Sequence, residues 1–454
     1  MYRRIVTATL LLLFAPAVLF AGGSGETSQS GPSSGSVALS EEEMWKQFEG
    51  ESISIIGLNV STFEALGTVI EEFTELTGIQ VNTDIYSETQ GRQKQSVEIF
   101  TGSGSYDVMY FVATDWVGWI ESDWIEPLEP YIDDPSLTLP GEVDLDGFVK
   151  GPLSVMYWDD ALYGLPAFSA TTVFYYRSDI LEENGLEPPD TIQEMVDVAA
   201  QIHSDSVAGV AMRGAAGPNL WPWLSIMRGM GGSIYQDYPN DMRPALDSPE
   251  VAEAMDLYGE LLRNYSIEGY ATASFNEVVL ALQQGKAAMS NDGAPLAPRV
   301  LDPDESRVVG KMGFAPVPAG PAGRFAPYTA HGWLIPQSAA NKGPAWLFLK
   351  WVTSEETQFK MAMNARHLAV SRSSIFENPD FRERYEYGPG FLNAYLSNVN
   401  SDHVYHPTNR AYAQVRQALG QELASVIVGD KTGEEGARAA HERVDQIMRD
   451  AGFY

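Results

Sequence analysis

Residues that could carry catalysis or bind a metal are scattered along this chain rather than grouped in motifs. His403 and His406 have a spacing that suits a metal, but a proline follows them and no acidic partner is evident. Asp144 and Asp146 lack the remaining ligands of a calcium-binding loop. No glycine-rich loop ends in Gly-Lys-Ser or Gly-Lys-Thr, the pattern that holds phosphate. The sequence therefore predicts neither a metal nor a cofactor.

The composition excludes further chemistries. The chain has no cysteine, so it has no disulfides, no thiolate metal sites and no cysteine nucleophile. Its 61 Asp and Glu residues outnumber 29 Lys and Arg, which gives a formal charge of −32 and excludes nucleic acid as a partner. Such acidity fits either a cation-seeking surface or a solvated surface suited to salty surroundings. Carboxylate pairs such as Asp159-Asp160 are inevitable in this composition, so they are not by themselves evidence of a glycosidase.

The N-terminus has the pattern of a secretory signal. Arg3 and Arg4 precede an apolar run from Ile5 to Phe14, and small residues follow at suitable cleavage positions. We predict a signal peptide over residues 1–21, with an uncleaved anchor as the alternative. Residues 22–44 are rich in Gly and Ser and predict a flexible tether. The protein is expected outside the cytoplasmic membrane, in the periplasm or at the membrane surface.

The elements that follow alternate between strands and helices. Apolar runs at Ser52–Leu58, Val81–Tyr86 and Asp107–Val112 predict parallel strands, with helices between them. Ser61, with a glutamate three residues later, predicts a capping box and a helix that ends at Thr77. A β-α-β-α-β series of this kind places its binding loops at the carboxyl ends of the strands.

The second half of the chain repeats this α/β character. Thr171–Tyr176 is an unbroken run of β-branched and aromatic residues and predicts a buried strand. Thr191 and Ser274 each precede a glutamate by three residues, which predicts two more capped helices. Ala287–Asn291 predicts a strand, and the Pro- and Gly-rich segment 314–327 predicts an irregular crossing. The length and these patterns predict an α/β protein with two lobes.

Several further segments occur in an order typical of one protein family. They are Tyr106–Val108, Asp123–Leu128, Leu162–Pro166, Phe174–Arg177, Gln284–Met289, Gly332–Pro336, Ala345–Trp351 and Arg372–Ser374. Together they resemble the family-1 extracellular solute-binding proteins of ABC importers. The resemblance begins near residue 50, reaches the C-terminus, and is most similar to the sugar and sugar-alcohol binders.

The resemblance implies a two-lobed periplasmic binding protein fold, type II-like, whose discontinuous lobes are joined by hinge crossings. We expect an N-terminal lobe over residues 45–166 and 328–368, and a C-terminal lobe over 167–327 and 369–454. It also implies a monomer that captures a sugar, oligosaccharide or sugar alcohol and delivers it to the membrane permease subunits of an ABC importer. A secreted carbohydrate-active enzyme of the glycosidase or lyase class is the alternative.

A sugar site needs aromatic platforms for apolar faces and planar polar groups for hydroxyls. On this basis the resemblance and the predicted strand ends select one set of candidate ligand-binding residues. They are Asn59, Ser61, Asp115, Trp116, Gly332 and Trp333 from the first lobe, Phe168 and Ser169 from the crossing, Trp221, Trp223 and Asp292 from the second lobe, and Arg366 near the last crossing.

Each candidate also has a structural interpretation. Ser61 fits a helix cap, and Trp333 fits the core because it lies in an apolar strand. Trp221 and Trp223 are two residues apart, so on a helix only one is expected to reach a ligand. Relatives often have an acidic residue after the Pro-aromatic step, whereas Ser169 and Ala170 follow Phe168 here. Many also have a lipid-accepting cysteine, which this chain lacks.

Overall fold

The structure is a computed structural model in which residues 39–113, 116–365, 367–399 and 409–454 are described. The predicted signal peptide and most of the predicted tether lie outside these ranges. The first helix begins at Glu41, inside the stretch assigned to the tether, and Ser40 caps it through a capping box with Glu43. Regular structure thus starts slightly before residue 45.

Twelve strands occur in the described residues. They are β1 (Ser52–Leu58), β2 (Gln80–Tyr86), β3 (Val108–Val112), β4 (Tyr157–Trp158), β5 (Ala161–Leu162), β6 (Leu165–Arg177), β7 (Ala208–Val210), β8 (Tyr235–Asp237), β9 (Asp241–Pro244), β10 (Ala287–Gly293), β11 (Met312–Ala315) and β12 (Tyr328–Leu334).

The α-helices of the described residues surround these strands. They are α1 (Glu41–Lys46), α2 (Ser61–Leu66), α3 (Ile70–Thr77), α4 (Glu88–Thr101), α5 (Val117–Ile120), α6 (Glu129–Ile132), α7 (Lys150–Ser154), α8 (Ser178–Glu183), α9 (Ile192–Ile202), α10 (Leu220–Met230), α11 (Pro249–Tyr265), α12 (Phe275–Gln283), α13 (Ala297–Val300), α14 (Lys342–Val352), α15 (Glu355–Asn364), α16 (Pro379–Tyr385), α17 (Phe391–Val399), α18 (Tyr412–Ile427) and α19 (Gly433–Asp450).

The main sheet has the strand order β2-β1-β3-β12-β6-β10-β7, with β11 added beside β6. β1 pairs in parallel with β2 and β3, as the β-α-β-α-β pattern predicts. β12 then lies antiparallel between β3 and β6. The second part of the sheet joins β10 in parallel to β7 and antiparallel to β6.

Strand β6 connects the two parts of the sheet. Its first half, from Leu165 to Thr171, pairs with β12, whereas Thr172 to Tyr176 pair with β10. β11 pairs with the last residues of the same strand. The predicted strand at Thr171–Tyr176 and the predicted crossing at Phe168–Ala170 are therefore one continuous strand of 13 residues.

The buried apolar side chains form three clusters. The first consists of residues from 53–170 and 330–369. The other two consist of residues from 149–328 and 362–448. These stretches follow the discontinuous lobes expected from the sequence, although residues 149–170 and 362–369 contribute to both sides. The lobe boundaries themselves stay a prediction.

The helix caps agree with the sequence in two places and differ in one. Thr191 and Ser274 form the predicted capping boxes, with Glu194 and Glu277. The predicted cap at Ser61 is wrong, because Val60 is the N-cap residue and no side chain caps this helix. The prediction of one helix that ends at Thr77 is also wrong. Two helices occupy this stretch, because helical structure is interrupted between Leu66 and Ile70.

Within the described part of the chain, no helix has both the length and the apolar composition to cross a membrane.

Candidate functional site

The first half of β6 carries an aromatic cluster. The ring of Phe168 lies 4.7 Å from the ring of His331 and 6.1 Å from that of His367, tilted by 32° and 34°. His331 is the residue of β12 directly opposite Phe168, and a register shift follows it at Gly332. We call Phe168, His331, His367, Tyr110 and Ser61 the hinge cluster. It brings a β6 aromatic residue together with groups from four other parts of the chain.

Hydrogen bonds fix the two imidazoles of the hinge cluster. Ser61 Oγ lies 3.2 Å from His367 Nδ1, and Tyr110 Oη lies 2.9 Å from His331 Nδ1. Tyr110 Oη is also 3.0 Å from the hydroxyl of Thr62. The Ser61 side chain, freed from capping, thus positions a histidine 306 residues away. The result is a set of hydrogen bonds behind the tilted rings of Phe168, His331 and His367.

Both histidines are neutral at pH 7. Burial lowers the pKa of His367 to about 4. His331 keeps some exposed surface, yet the surrounding protein desolvates it and, with a smaller effect of the Arg92 charge, lowers its pKa to about 3. The hinge cluster is therefore uncharged. Ser61 and His331 keep some exposed surface, whereas Phe168, His367 and Tyr110 are buried at 8%, 2% and 0% exposure.

The second cluster lies where β7 and β10 end. Because these strands are parallel, their carboxyl ends bring Arg213, just after β7, beside Asp292 of β10. Arg213 donates from Nε to Asp292 Oδ2 at 2.9 Å and makes a second ion-pair contact with Oδ1. The Asp292 side chain is 1% exposed and that of Arg213 is 15% exposed. This is a bidentate ion pair with limited access to water.

Two aromatic rings cover the guanidinium of this pair. The rings of Trp221, on α10, and Phe275, on α12, each lie 5.8 Å from Arg213 Cζ. Trp221 is half-buried and Phe275 is 40% exposed. We call Arg213, Asp292, Trp221 and Phe275 the second-lobe cluster. It combines accessible aromatic faces with a fixed charge pair.

Two buried tyrosines support the second-lobe cluster from behind. Tyr258 Oη donates to the carbonyl oxygen of Arg213 at 2.7 Å, and Tyr175 Oη donates to that of Gly293 at 2.6 Å. Burial raises the pKa of both hydroxyls well above the usual range, and the charge of Asp292 raises it further. They therefore stay protonated donors at any working pH.

Strand β6 links the two clusters. Phe168 belongs to the hinge cluster, and Val173 of the same strand pairs with Asp292 of the second-lobe cluster. Five residues of extended chain span roughly 17 Å. The two clusters therefore lie near different parts of one strand.

Four predicted site residues lie in the core. Trp333 is 1% exposed and packs edge-on against Tyr110, Phe63 and Phe348 at 4.9 to 5.5 Å. Trp116 is 2% exposed and stacks on Phe111 at 4.7 Å.

Trp223 and Gly332 are enclosed as well. Trp223 has no exposed surface, and its indole N–H has no acceptor among the described residues. Gly332 has a packing role, because a Cβ there would lie 2.7 Å from the Phe111 ring and 2.8 Å from the Met156 sulfur. The structure places all four residues in the interior rather than on an open wall.

The remaining predicted residues have varied positions. Asn59 is exposed, and its backbone N–H donates to the carbonyl of Tyr86 at 2.7 Å. Ser169 lies on β6 opposite Ala330. Asp115 and Arg366 lie outside the described residues, as do His403 and His406. Of the twelve predicted residues, Phe168 and Ser61 come together in one cluster, and Trp221 and Asp292 in the other.

Five members of the two clusters were not selected from the sequence, namely Arg213, His331, His367, Phe275 and Tyr110. Arg213 lies just after β7, and its place beyond a strand end is the signal that could have identified it. His331 and His367 neighbour Gly332 and Arg366, which were selected, but nothing local indicates that both rings lie beside Phe168. Phe275 begins the helix predicted after Ser274, and Tyr110 lies within a predicted strand, so both residue types fit an apolar face.

No group of three or more metal-ligating side chains is found within the described residues.

The comparisons with known proteins agree with this architecture. Residues 59–359 match the family described as bacterial extracellular solute-binding protein. A relative from Sinorhizobium fredii, named a probable amino-acid ABC transporter periplasmic-binding protein, is 25% identical over 90% of this chain and 92% of its own. The erythritol/L-threitol-binding protein of Mycolicibacterium smegmatis is 24% identical, over 85% of this chain and 84% of its own.

A solved structure shares the fold. The ABC transporter solute-binding protein of Agrobacterium radiobacter, in complex with ribitol, matches with a TM-score of 0.75 at 22% identity. The match covers 88% of this chain and 99% of that one. The protein therefore has the two-lobed fold of periplasmic solute-binding proteins, as predicted.

Since the family match covers well over half of its length, this chain belongs to the bacterial extracellular solute-binding proteins. The resemblance stated from the sequence motifs is confirmed.

Proposed function

We propose that this protein is the extracytoplasmic binding subunit of an ABC importer for a sugar, oligosaccharide or sugar alcohol. In this proposal it captures the ligand between its lobes, closes by hinge motion, and delivers the ligand to the permease subunits. It acts as a monomer in the periplasm or at the membrane surface, and it is not an enzyme. The observation that carries the proposal is that two aromatic-polar clusters lie along strand β6, which contains Phe168 and pairs with Asp292 through Val173.

The chemistry of the clusters supports a neutral polyhydroxylated ligand. Trp221 and Phe275 provide aromatic faces for apolar C–H surfaces, each worth about 0.5–1.5 kcal/mol. Ser61, the two imidazoles and the Arg213 guanidinium provide hydrogen-bonding groups. A micromolar complex needs about 8 kcal/mol in total, so a few such contacts and hydrogen bonds suffice.

The same chemistry weighs against two other ligand or reaction classes. An amino acid needs a cation for its carboxylate, but Arg213 is already bound bidentately by Asp292. A glycosidase needs two carboxylates across the cleft, roughly 5–10 Å apart. Within the described members of the two clusters, Asp292 is the single carboxylate, and it is held in the ion pair.

A thermal-shift screen with sugars, polyols, uronic acids and amino acids tests the proposal, because a ligand that binds the native state raises its melting temperature. We expect shifts with neutral sugars or polyols. Shifts restricted to amino acids would contradict the ligand class, and conversion of a sugar to new products would contradict the carrier role.

The site is tested by comparing Trp221→Ala with Trp158→Ala. Both tryptophans are half-buried, but Trp158 lies on the β4–β5 hairpin outside both clusters. We expect Trp221→Ala to weaken the binding of the ligand found in the screen by roughly tenfold, and Trp158→Ala to leave it unchanged. Equal affinity of both variants would remove Trp221 from the site.

A further inference from the structure

A cavity lies in the predicted C-terminal lobe, apart from both clusters. It has a volume of about 380 Å³ and is formed by the last turns of α10 and the segment that leads into β8. Its lining includes Leu224, Met227, Arg228, Ile234, Tyr235 and Tyr238. None of these residues belongs to the hinge cluster or to the second-lobe cluster. The volume is within the range of small-molecule pockets, roughly 300–1,000 Å³.

Arg228 lacks the carboxylate partner that several other arginines of the described chain have. Seven arginines form ion pairs with carboxylates, namely Arg177, Arg213, Arg243, Arg324, Arg410, Arg443 and Arg449. Arg228 has no carboxylate partner among the described residues. Its guanidinium donates from Nη1 to the carbonyl of Gly232 at 3.1 Å and lies 5.2 Å from the ring of Phe325.

This arginine is also half-buried, and burial lowers its pKa. A partly desolvated cation without a counter-charge is unfavourable, and its position in the last turn of α10 offsets only part of that cost. The chain has 61 acidic and 29 basic residues, so the absence of a carboxylate beside Arg228 does not reflect a shortage of acidic side chains. The remaining donors of the planar guanidinium match the two oxygens of a carboxylate.

The rest of the lining narrows the ligand class. Leu224, Met227, Ile234 and Tyr235 are buried apolar or aromatic residues that suit the body of an organic molecule. Asp237 also lines the cavity; it is exposed and accepts a hydrogen bond from Asn240 at 3.3 Å. Its negative charge disfavours a dianion such as phosphate more than a monoanion.

We propose that this cavity binds a small organic monocarboxylate, with its carboxylate on Arg228 and its apolar body against Leu224, Met227 and Tyr235. The site is separate from the sugar site, so its occupancy does not depend on the proposed transport function.

Ligand titrations of the purified protein with sodium benzoate and sodium butyrate test this site. Sodium chloride at matched ionic strength and sodium phosphate are the comparison salts. We expect saturable stabilisation by at least one carboxylate, with a dissociation constant below about 1 mM, and no such effect of chloride or phosphate. Stabilisation by phosphate alone, or no saturable effect of either carboxylate, would overturn the proposal.

Two variants locate the site. Arg228→Met removes the guanidinium at similar size, and Arg243→Met removes a neighbouring arginine that is paired with Asp241. We expect the first to weaken carboxylate binding at least tenfold and the second to leave it unchanged. Saturation-transfer NMR on benzoate measures the same binding without relying on melting temperatures. If Arg228→Met does not fold, Arg228→Gln is used in its place. Undiminished benzoate signals with the Arg228 variant would contradict the assignment.

Discussion

At the scale of single residues, the sequence identified the right residue types more readily than their environments. Phe168 and Trp221 were selected as aromatic platforms, and each lies in one of the two clusters. Trp333 met the same criteria but packs against three aromatic rings in the core. The sequence of an apolar strand does not indicate which of its faces opens to a cleft. Whether an aromatic residue of the strand faces a ligand or lies in the core therefore depends on how distant elements pack against it.

The core position of Trp333 predicts a stability effect. We expect Trp333→Ala to lower the free energy of unfolding by about 3–5 kcal/mol, because it removes a large, fully buried side chain and leaves a cavity. Chemical denaturation measures this change, and Trp158→Ala provides a half-buried control with a smaller effect. Undiminished stability together with lost ligand affinity would show that Trp333 faces the ligand instead.

The second-lobe ion pair predicts another stability effect. Asp292→Asn leaves the Arg213 guanidinium without its counter-charge. The Arg213 side chain is only 15% exposed and that of Asp292 only 1% exposed. Breaking a buried pair in this way costs about 3–5 kcal/mol.

The exposed pair of Asp241 and Arg243 supplies the control, since Arg243 is 64% exposed and water screens the charges. We expect Asp241→Asn to change the melting temperature much less than Asp292→Asn. Similar shifts for both variants would contradict a buried role for the Asp292 carboxylate.

The neutral histidines of the hinge cluster predict a pH dependence of stability. An unfolded histidine takes up a proton near pH 6.5, whereas folded His367 and His331 do so only near about 4 and about 3. Between these values the unfolded state binds more protons, so the free energy of unfolding falls as the pH is lowered from about 7 to about 4. Above about pH 7 these two groups contribute no pH dependence.

Denaturation at a series of pH values measures this slope. We expect His367→Gln to reduce it, because the variant removes one of the two groups. His203→Gln, which makes the same substitution at an exposed histidine outside the hinge cluster, is the control for the substitution itself. An identical slope in His367→Gln and the parent protein would contradict the assigned protonation state.

At the level of elements, local patterns predicted strands and helix caps correctly where the pattern lies within the residues of the element itself. Strand β1 and the capping boxes at Thr191 and Ser274 agree with the structure. Ser61 is not the cap because the helix already begins there, with Val60 at the N-cap position, and its hydroxyl lies beside His367, a partner 306 residues away. Strand β6 was recognised only in part, since its continuity across the crossing depends on β12 and β10 pairing with its two halves.

An ion pair between distant elements predicts an effect on ligand affinity. Glu121, at the end of α5 in the predicted N-terminal lobe, accepts from Arg410 Nη1 at 3.0 Å. Arg410 precedes α18 in the predicted C-terminal lobe, and it is held there by two hydrogen bonds to the carbonyl of Ala451. The pair thus joins the lobes and should break when they separate.

We expect Glu121→Gln to weaken the binding of the transported ligand by about two- to fivefold, the range typical of a partly exposed pair. The loss should shrink at high salt, because salt screens the pair in the parent protein. Glu356→Gln breaks an exposed pair within one helix and is the control. Unchanged affinity in Glu121→Gln at low salt would contradict a contribution of this pair to closure.

At the scale of the whole molecule, fold class and family follow from the order of the sequence motifs, and both are confirmed. The site could be predicted only as candidate residues near the strand ends and crossings of two lobes. Contacts such as Phe168 with His331 and His367, or Arg213 with Asp292, join segments far apart in the chain. No local pattern encodes which of these segments meet, so the binding groups emerge only from the folded arrangement.

The central claim is that the protein binds a neutral sugar or polyol reversibly between its lobes. Calorimetric titration of the purified protein with such ligands, followed by NMR of the recovered ligand, tests it most directly. We expect one-to-one binding of at least one ligand with a dissociation constant near micromolar, about 8 kcal/mol, and recovery of the ligand unchanged. Absence of binding by every neutral sugar and polyol, or recovery of a chemically altered ligand, would contradict it.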